Sequence, residues 1–406
     1  MPPAPSPTVA DIVSRLDVCV GDTTTARSLP GECYTSEEFF AFEMDALLSR
    51  EWLCVGHHSS IPHAGDYFTV TLVDEPLVIV RGDDGVIRAL SAICQHRGHP
   101  VVTGSGSCTQ FRCPYHWWSY GLDGSLVAAP EMRHTLPLPD LRAEVRLPEL
   151  KVEIWHGLIF VTFDPDASPL GPSLWRLERE LEGFGMEDLI ATPAEDAGLR
   201  PWNWKLHHEN ALEPYHTQFV HRGYHEMAPA NKAAFWDFEP DEGVVMHPTY
   251  FDNVLGGVDG GLNPMGTAIS PIIPGLSEEQ RSRVIFGSIP PTLFLSIFPN
   301  YIGMSILLPQ SAGVTGGRRH LLYPKSVAED PRWEWIHHCE EAFDDVAGAQ
   351  DADTTSTLQR ALRSRFAPQG RYSHQEATLP QFNTWLVPRY QRHLERLGTP
   401  VTIGPR

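Results

Sequence analysis

The chain changes its hydrophobic rhythm three times. Near residue 35 the run Thr35-Ser36-Glu37-Glu38 precedes Phe39, Phe40, Phe42, Met44, Leu47 and Leu48. A capping start followed by helical spacing predicts a helix there. From Asp66 the spacing shortens. Tyr67–Leu72, Pro76–Arg81 and Val86–Leu90 read as β-prone runs, with Asp83-Asp84-Gly85 as a hairpin turn. Val152–Ile154 and Leu158–Phe163 extend this β-rich stretch. Beyond the polar exit Asp164–Leu170, Leu174–Phe184 reads as a charged helix, and Lys205–Val220 as a helix interrupted at Pro214. Six glycines and three prolines in 254–275 predict a long loop that covers a binding site. Strands are expected at Leu293–Phe298, Tyr301–Leu308 and Arg319–Tyr323. Long helices are expected from Trp333 through Leu358 and over Phe382–Leu397.

This pattern makes an α+β chain: a small antiparallel β domain at about 45–163, and a second domain from 1–44 and 164–406. A length of 406 residues and 42% hydrophobic content supply enough material for both cores. The formal charge of −20 argues against nucleic acid and against an anionic membrane surface. No run approaches the ~20 apolar residues of a membrane span. Met1–Ala10 lacks the basic start and apolar core of a signal peptide, so a cytoplasmic location is expected. Seven cysteines, an odd number, do not make a disulfide scaffold.

Two of those cysteines carry chemistry. Cys94-Gln95-His96 is followed, after sixteen residues, by Cys113-Pro114-Tyr115-His116. Each segment offers one thiolate and one imidazole beside turn-forming residues. Structural zinc usually groups its cysteines and its histidines separately. One of each per loop suits a Rieske [2Fe–2S] cluster, in which two histidines replace two cysteines on one iron. Zinc stays as the minority alternative.

The second constellation is Glu209 to His221, with Asn210, Glu213, Pro214, Tyr215, His216 and His221. On a straight helix, five residues turn the two rings about 140° apart. One metal reaches both only if the helix breaks, and Pro214 supplies a cause. Two histidines and a carboxylate form the facial triad of non-haem Fe(II) oxygenases. His207, His208 and His225 are expected to be structural. Among Asp344, Asp345, Asp351 and Asp353 of the late helix, most acids are expected on a solvated face.

These motifs together resemble the Rieske non-haem iron oxygenases of the ring-hydroxylating α-subunit type. The run HRG…CPYHWWSYGLDGSL, the lead-in EWLCVGHHSSIPHAGDYFTV and the segment GLIFVTFD carry the resemblance, which extends over most of the chain. Trp117 departs from the family's small residue after the second histidine, and Ala92 from its common Asn. The resemblance implies a helix-grip catalytic domain, an antiparallel sheet over a long C-terminal helix. It assigns Cys94, His96, Cys113 and His116 to the cluster. It assigns His216, His221 and an acid eight residues before Gln359-Arg360-Ala361-Leu362-Arg363-Ser364 to the iron. That acid is Asp351, with Asp353 as runner-up, and Gln350 replaces the usual Glu. Asn210 and Glu213 match catalytic positions of the family motif. Glu213 stands where most members have Asp, as in enzymes acting on quaternary amines such as carnitine monooxygenase.

The activity implied is that of a terminal oxygenase component, hydroxylating or demethylating a small substrate with O2. Its electrons come from an NAD(P)H-dependent flavin/iron–sulfur reductase or a ferredoxin, and pass between subunits of a homotrimer through Glu213. A quaternary amine is slightly preferred, held by aromatics such as Trp202, Trp204, Phe219, Phe235, Trp236 and Phe238. The alternatives are an aromatic-ring dioxygenase forming cis-dihydrodiols, and a non-catalytic Rieske electron carrier.

Overall fold

The computed structural model describes residues 8–239, 241–251 and 269–398. Of the loop expected at 254–275, residues up to 268 lie outside that set, and 269–275 hold no regular element. The chain divides into two compact units, Leu48–Pro169 and Met1–Leu47 with Leu170–Arg406.

The first unit is built of short antiparallel strands. They are β1 (Leu53–His57), β2 (Asp66–Leu72), β3 (Glu75–Arg81), β4 (Ile87–Ser91), β5 (Ser105–Ser107), β6 (Phe111–Arg112), β7 (Ser119–Tyr120), β8 (Leu126–Ala128), β9 (Glu149–Trp155) and β10 (Leu158–Thr162). One sheet runs β1-β10-β9-β4-β3-β2-β5 and a second β6-β7-β8. Alternate residues Val78 and Val80, with Leu90, Phe111, Tyr120 and Leu126, fill a core that also takes in Cys94, Cys113 and Trp118.

The second unit joins helices to one large antiparallel sheet. Its strands are β11 (Leu189–Ala191), β12 (Glu195–Asp196), β13 (Val245–Tyr250), β14 (Arg283–Ile289), β15 (Leu293–Ile297), β16 (Ile302–Ser311) and β17 (Val314–Pro324). The order is β11-β17-β16-β15-β14-β13, with β12 also paired to β17. The helices that matter to the site are α1 (Glu37–Glu43), α2 (Trp204–Leu212), α3 (Thr217–Val220), α4 (Arg222–Met227), α5 (Trp333–Ala361) and α6 (Thr378–Arg396). Strands β11, β12, β13 and β14 were not expected from the sequence. β17 is longer than Arg319–Tyr323, and the expected helix at Leu174–Phe184 shrinks to Trp175–Glu180.

Register identifies the sheet face that the helices cover. His247, Phe286, Ser296, Gly303 and Leu321 lie side by side across the strands, as do Ser288, Phe294, Ser305 and Arg319. Ser288 meets His208 of α2, the Phe294 ring lies 6.4 Å from the His207 ring, and Arg319 pairs with Glu341 and Asp345 of α5. On central strands β15 and β16, Ser296, Gly303 and Ser305 of this inner face are half-buried, whereas Leu295, Met304 and Ile306 of the other face are buried. Small residues at the middle of a sheet thus leave a chamber under α2 and α5.

Beneath α2 lies a fully buried ion pair. Lys205 Nζ sits 2.7 and 2.8 Å from the two oxygens of Glu43, at the end of α1, and Tyr390 of α6 donates its hydroxyl to the same carboxylate. Both charges lack water, so removing one partner strands the other. Lys205→Met is expected to cost about 3–5 kcal/mol in urea unfolding. Lys205→Met with Glu43→Gln should regain part of that loss.

Candidate metal centres

Two loops of the first unit share one hydrogen-bond pattern. In one, Gly98 N–H donates to Cys94 O and Cys94 N–H to His99 O, both at 3.0 Å. In the other, Trp117 N–H donates to Cys113 O and Cys113 N–H to Trp118 O, both at 2.9 Å. The fourth residue after each cysteine has positive φ, 78° at Gly98 and 61° at Trp117. The family's small residue at the Trp117 position is therefore explained by backbone conformation. A left-handed non-glycine residue costs about 1–2 kcal/mol. The Trp117 ring, 61% exposed, gains the Arg112 guanidinium 5.3 Å from its centroid.

The loops bring the four expected residues together. Cys94 and Cys113 are buried, with their thiols in contact, and His96 and His116 are exposed above them with ring centroids 4.7 Å apart. Burial, and then the neighbouring Cys113, push the Cys94 thiol up; burial, and then His116, push His96 down. An imidazole that holds its proton weakly, as His96 does, is readier to ligate. Buried sulfurs with two imidazoles at the rim fit a cluster whose outer iron is bound by nitrogen.

Sequence reasoning missed two supports. Trp118 stacks on His96 at 4.6 Å and 7°, fixing the ring. Tyr120 accepts the Gln95 N–H at 3.0 Å, and its hydroxyl lies 3.3 Å from Cys94 Sγ. A hydroxyl donated to a cluster sulfur raises the reduction potential. Tyr120 lies in β7 and Trp118 just before it, inside the run that carries the resemblance, but neither is a ligand type that marks its role.

In the second unit, α2 stops because Glu213 precedes Pro214 and is extended (φ −112°, ψ 127°). His216 then caps α3, and His221 breaks the helix a second time, at φ −113° and ψ 63°. The two breaks remove the divergence of a straight helix. The rings come within 5.0 Å centroid to centroid.

Each ring is oriented from behind. Glu213 Oε1 accepts His216 Nδ1–H at 2.8 Å, and Glu213 Oε2 accepts the His216 backbone N–H at 3.0 Å. Gln350 Oε1 accepts His221 Nδ1–H at 2.7 Å. Acceptors on both Nδ1 atoms turn both Nε2 lone pairs toward Asp351, whose Oδ1 lies 3.4 Å from His216 Nε2 and 2.8 Å from His221 Nε2. Ligand atoms of the three residues fall within 4.8 Å of one another. Asn210 Nδ2 approaches Asp351 Oδ1 at 3.3 Å and His216 Nε2 at 3.4 Å, and its oxygen accepts the Thr355 hydroxyl at 3.4 Å. Burial opposes charge on His216, but Asp351 and Glu213 outweigh it and raise the imidazole to about 10. Burial likewise opposes the Asp351 carboxylate, and the two histidines hold it well below the usual range. A site this negative, with two nitrogen donors, fits a divalent iron.

Asp353 is exposed and outside the group. His208 is structural, bonded to Ser288 at 2.8 Å and Pro291 O at 3.0 Å, with burial lowering it to about 4. Glu195, His337 and Glu341 also have ligand-like spacing, but Arg319 lies between the acids, 3.0 Å from Glu195 and 3.5 Å from Glu341, so this is a salt-bridge network. Of the aromatics expected around a substrate, Phe235 packs on His247 of the inner face at 5.4 Å, and Phe238 packs against the core. Trp202 and Trp204 are core, Phe219 is 67% exposed, and Trp236 faces Arg176. Among the described residues, the His221 ring lies 5.0 Å from His216 and 6.2 Å from Tyr224, and Tyr224 leads to Phe286 of the inner face.

A nitrogen-and-sulfur pair of loops in one unit and two histidines with a carboxylate in the other define an iron–sulfur oxygenase architecture. The comparisons agree: the ring hydroxylating alpha subunit (catalytic domain) matches residues 179–392, and the Rieske [2Fe–2S] domain residues 51–148. The chain belongs to the ring-hydroxylating oxygenase α-subunit family, which binds a Rieske cluster and a mononuclear iron.

The carnitine monooxygenase oxygenase subunit of Acinetobacter baumannii is 33% identical over 222 residues, 54% of this chain and 58% of that protein. The glycine betaine monooxygenase oxygenase subunit of Chromohalobacter salexigens is 36% identical over 197 residues, 48% and 43% of the two chains. The matches thus span about half the length of these curated relatives, 58% of the first and 43% of the second. The quaternary ammonium Rieske monooxygenase CntA has the same fold, with a TM-score of 0.77 over 96% of this chain and 99% of that one, at 23% identity.

Proposed function

We propose that this chain is the terminal oxygenase component of a Rieske oxygenase system acting on a small quaternary amine. The observation that carries the reading is the convergence of His216 Nε2, His221 Nε2 and Asp351 beside the inner-face chamber. When bound, the cluster supplies electrons one at a time and the mononuclear iron activates O2. Cys94, Cys113, His96 and His116 would hold the first, and His216, His221 and Asp351 the second. Glu213 and Gln350 keep the Nδ1 protons and so leave both Nε2 atoms to the metal. Asn210 keeps Asp351 turned toward the histidines. Residues 254–268, where a covering loop was expected, lie outside the described residues.

The amine preference rests on three supports. Two curated relatives are named for carnitine and glycine betaine. Glu213 occupies the position where most of the family has Asp. Asp344, two turns before Asp351 on the same face of α5, is half-buried and accepts the Tyr301 hydroxyl at 3.3 Å. Burial pushes it up to about 7, against the pull of Arg319. A carboxylate beside Tyr301 and near Tyr224 favours an organic cation. A partner reductase and a homotrimer belong to this reading. Among the described residues no helix is long and apolar enough to cross a membrane.

Oxygen uptake with NADH and a surrogate reductase tests it across trimethylammonium compounds, aromatic acids and hydrocarbons. A trimethylammonium compound is expected to stimulate uptake and to yield formaldehyde or a hydroxylated product. Stimulation by aromatic compounds alone would replace the amine reading with ring dihydroxylation.

A further inference from the structure

Among the described residues, Arg200 is a half-buried cation with no anion paired to it. Backbone hydrogen bonds tie it to Thr315 of β17 in both directions, at 2.9 and 3.0 Å. Its guanidinium lies beside Gly317, two residues before Arg319 on the same strand and on the inner face. A Cβ at Gly317 would stand 3.9 Å from Arg200 Nη1. The side chain has one polar neighbour among the described residues, His207 Nδ1, at 3.4 Å. No carboxylate of a described residue forms an ion pair with it.

Three other arginines with little exposure each carry an acid instead. Arg176 has Glu242, Arg283 has Glu180, and Arg319 has Glu195, Glu341 and Asp345. With 51 acidic and 31 basic side chains, anions are not scarce. A desolvated guanidinium is costly unless paired, and burial, followed by Arg319, weakens its hold on the proton. His207 gives no compensating charge, because burial and then Arg200 itself keep the imidazole far below its ordinary value.

The place is contiguous with the iron site. His207 stands one turn before Asn210 on α2, and Asn210 reaches Asp351 at 3.3 Å. The His207 ring also borders Phe294 at 6.4 Å, on the row that includes Ser305 and Arg319. Arg200 therefore offers a planar donor fork to the chamber.

Resting on the oxygenase reading above, we propose that Arg200 binds a carboxylate of the substrate, so that the preferred substrate is a betaine-type zwitterion rather than a simple organic cation. A guanidinium takes a carboxylate through two parallel hydrogen bonds, and the anion completes the pair that the chain withholds. The cationic end is then left to the aromatic and acidic side of the chamber.

The test compares two probes that differ in one charge, 4-(trimethylammonio)butanoate and its methyl ester, by calorimetric titration of the full chain with its metal centres. The wild type is expected to bind the acid at least about tenfold more tightly than the ester. Arg200→Gln should weaken the acid by about 30-fold or more and leave the ester unchanged. Arg200→Lys, which keeps the charge but not the fork, should recover part of the preference. Equal binding of acid and ester by the wild type overturns the proposal without any variant, as does an equal loss of both in Arg200→Gln. If neither amine binds but 3-phenylpropanoate does, and is lost in Arg200→Gln, the carboxylate site stands and the amine reading falls. If none of the three binds, Arg200 is not a carboxylate site.

Discussion

Asp351→Ala is expected to release the mononuclear iron and leave the Rieske absorption intact. The wild type should hold about three irons per chain, two in the cluster and one alone, and the variant about two. Asp351 is the one carboxylate whose oxygen lies within 3.4 Å of both Nε2 atoms among the described residues. Without it, two neutral imidazoles face a divalent cation in a half-buried place, and affinity collapses. Asp351→Asn should behave alike, since it keeps shape but not charge. Gln350→Ala should be milder. Losing a residue that only orients a ligand costs about 10–100-fold in metal affinity. Metal analysis beside the visible spectrum of each variant decides the matter. Iron retained in Asp351→Ala and lost in Asp353→Ala would move the ligand assignment to Asp353.

The two centres were not equally legible in the sequence. Cys94, His96, Cys113 and His116 declare themselves because each loop is local, and spacing within a tight loop is geometry. His216 and His221 were legible as residues but not as a site. Only one break, at Pro214, could be foreseen. The second falls at His221 itself and has no proline to mark it. Asp351 is about 130 residues away, and distance in sequence carries no angle; only the family spacing pointed to it. Gln350 was noticed as a departure, yet its bond to His221 depends on α5 lying against α3, which no local pattern encodes. Strand β13 was hidden by Pro248, which is tolerated because β13 is the last strand of its sheet. β17 was read short because Gly316-Gly317 interrupts its β pattern. A Cβ at the second of those glycines would stand 3.0 Å from Ile306 O, so close strand packing asks for glycine where the β pattern breaks.

Glu213→Gln is expected to keep both metal centres and lose turnover about 10–100-fold or more. Glu213 is a positioning residue: its two oxygens take the His216 Nδ1–H at 2.8 Å and the His216 backbone N–H at 3.0 Å. Both bonds are charge-assisted, roughly twice as strong as neutral ones. An amide has one acceptor oxygen, so if it keeps Nδ1–H its NH2 group must face another N–H donor. His216 then becomes a weaker base and a looser ligand, and any onward path from Glu213 to an imidazole of a neighbouring subunit loses its anionic acceptor. Folding is not at stake, because the substitution preserves volume. Single-turnover mixing of chemically reduced protein with substrate and O2 separates this from a binding defect: cluster reoxidation should slow while substrate affinity holds. Glu213→Asp should restore part of the rate, since it keeps the charge and matches the residue most of the family carries. Reoxidation of the cluster at the wild-type rate in Glu213→Gln would remove Glu213 from the electron path and leave it only the task of aiming His216.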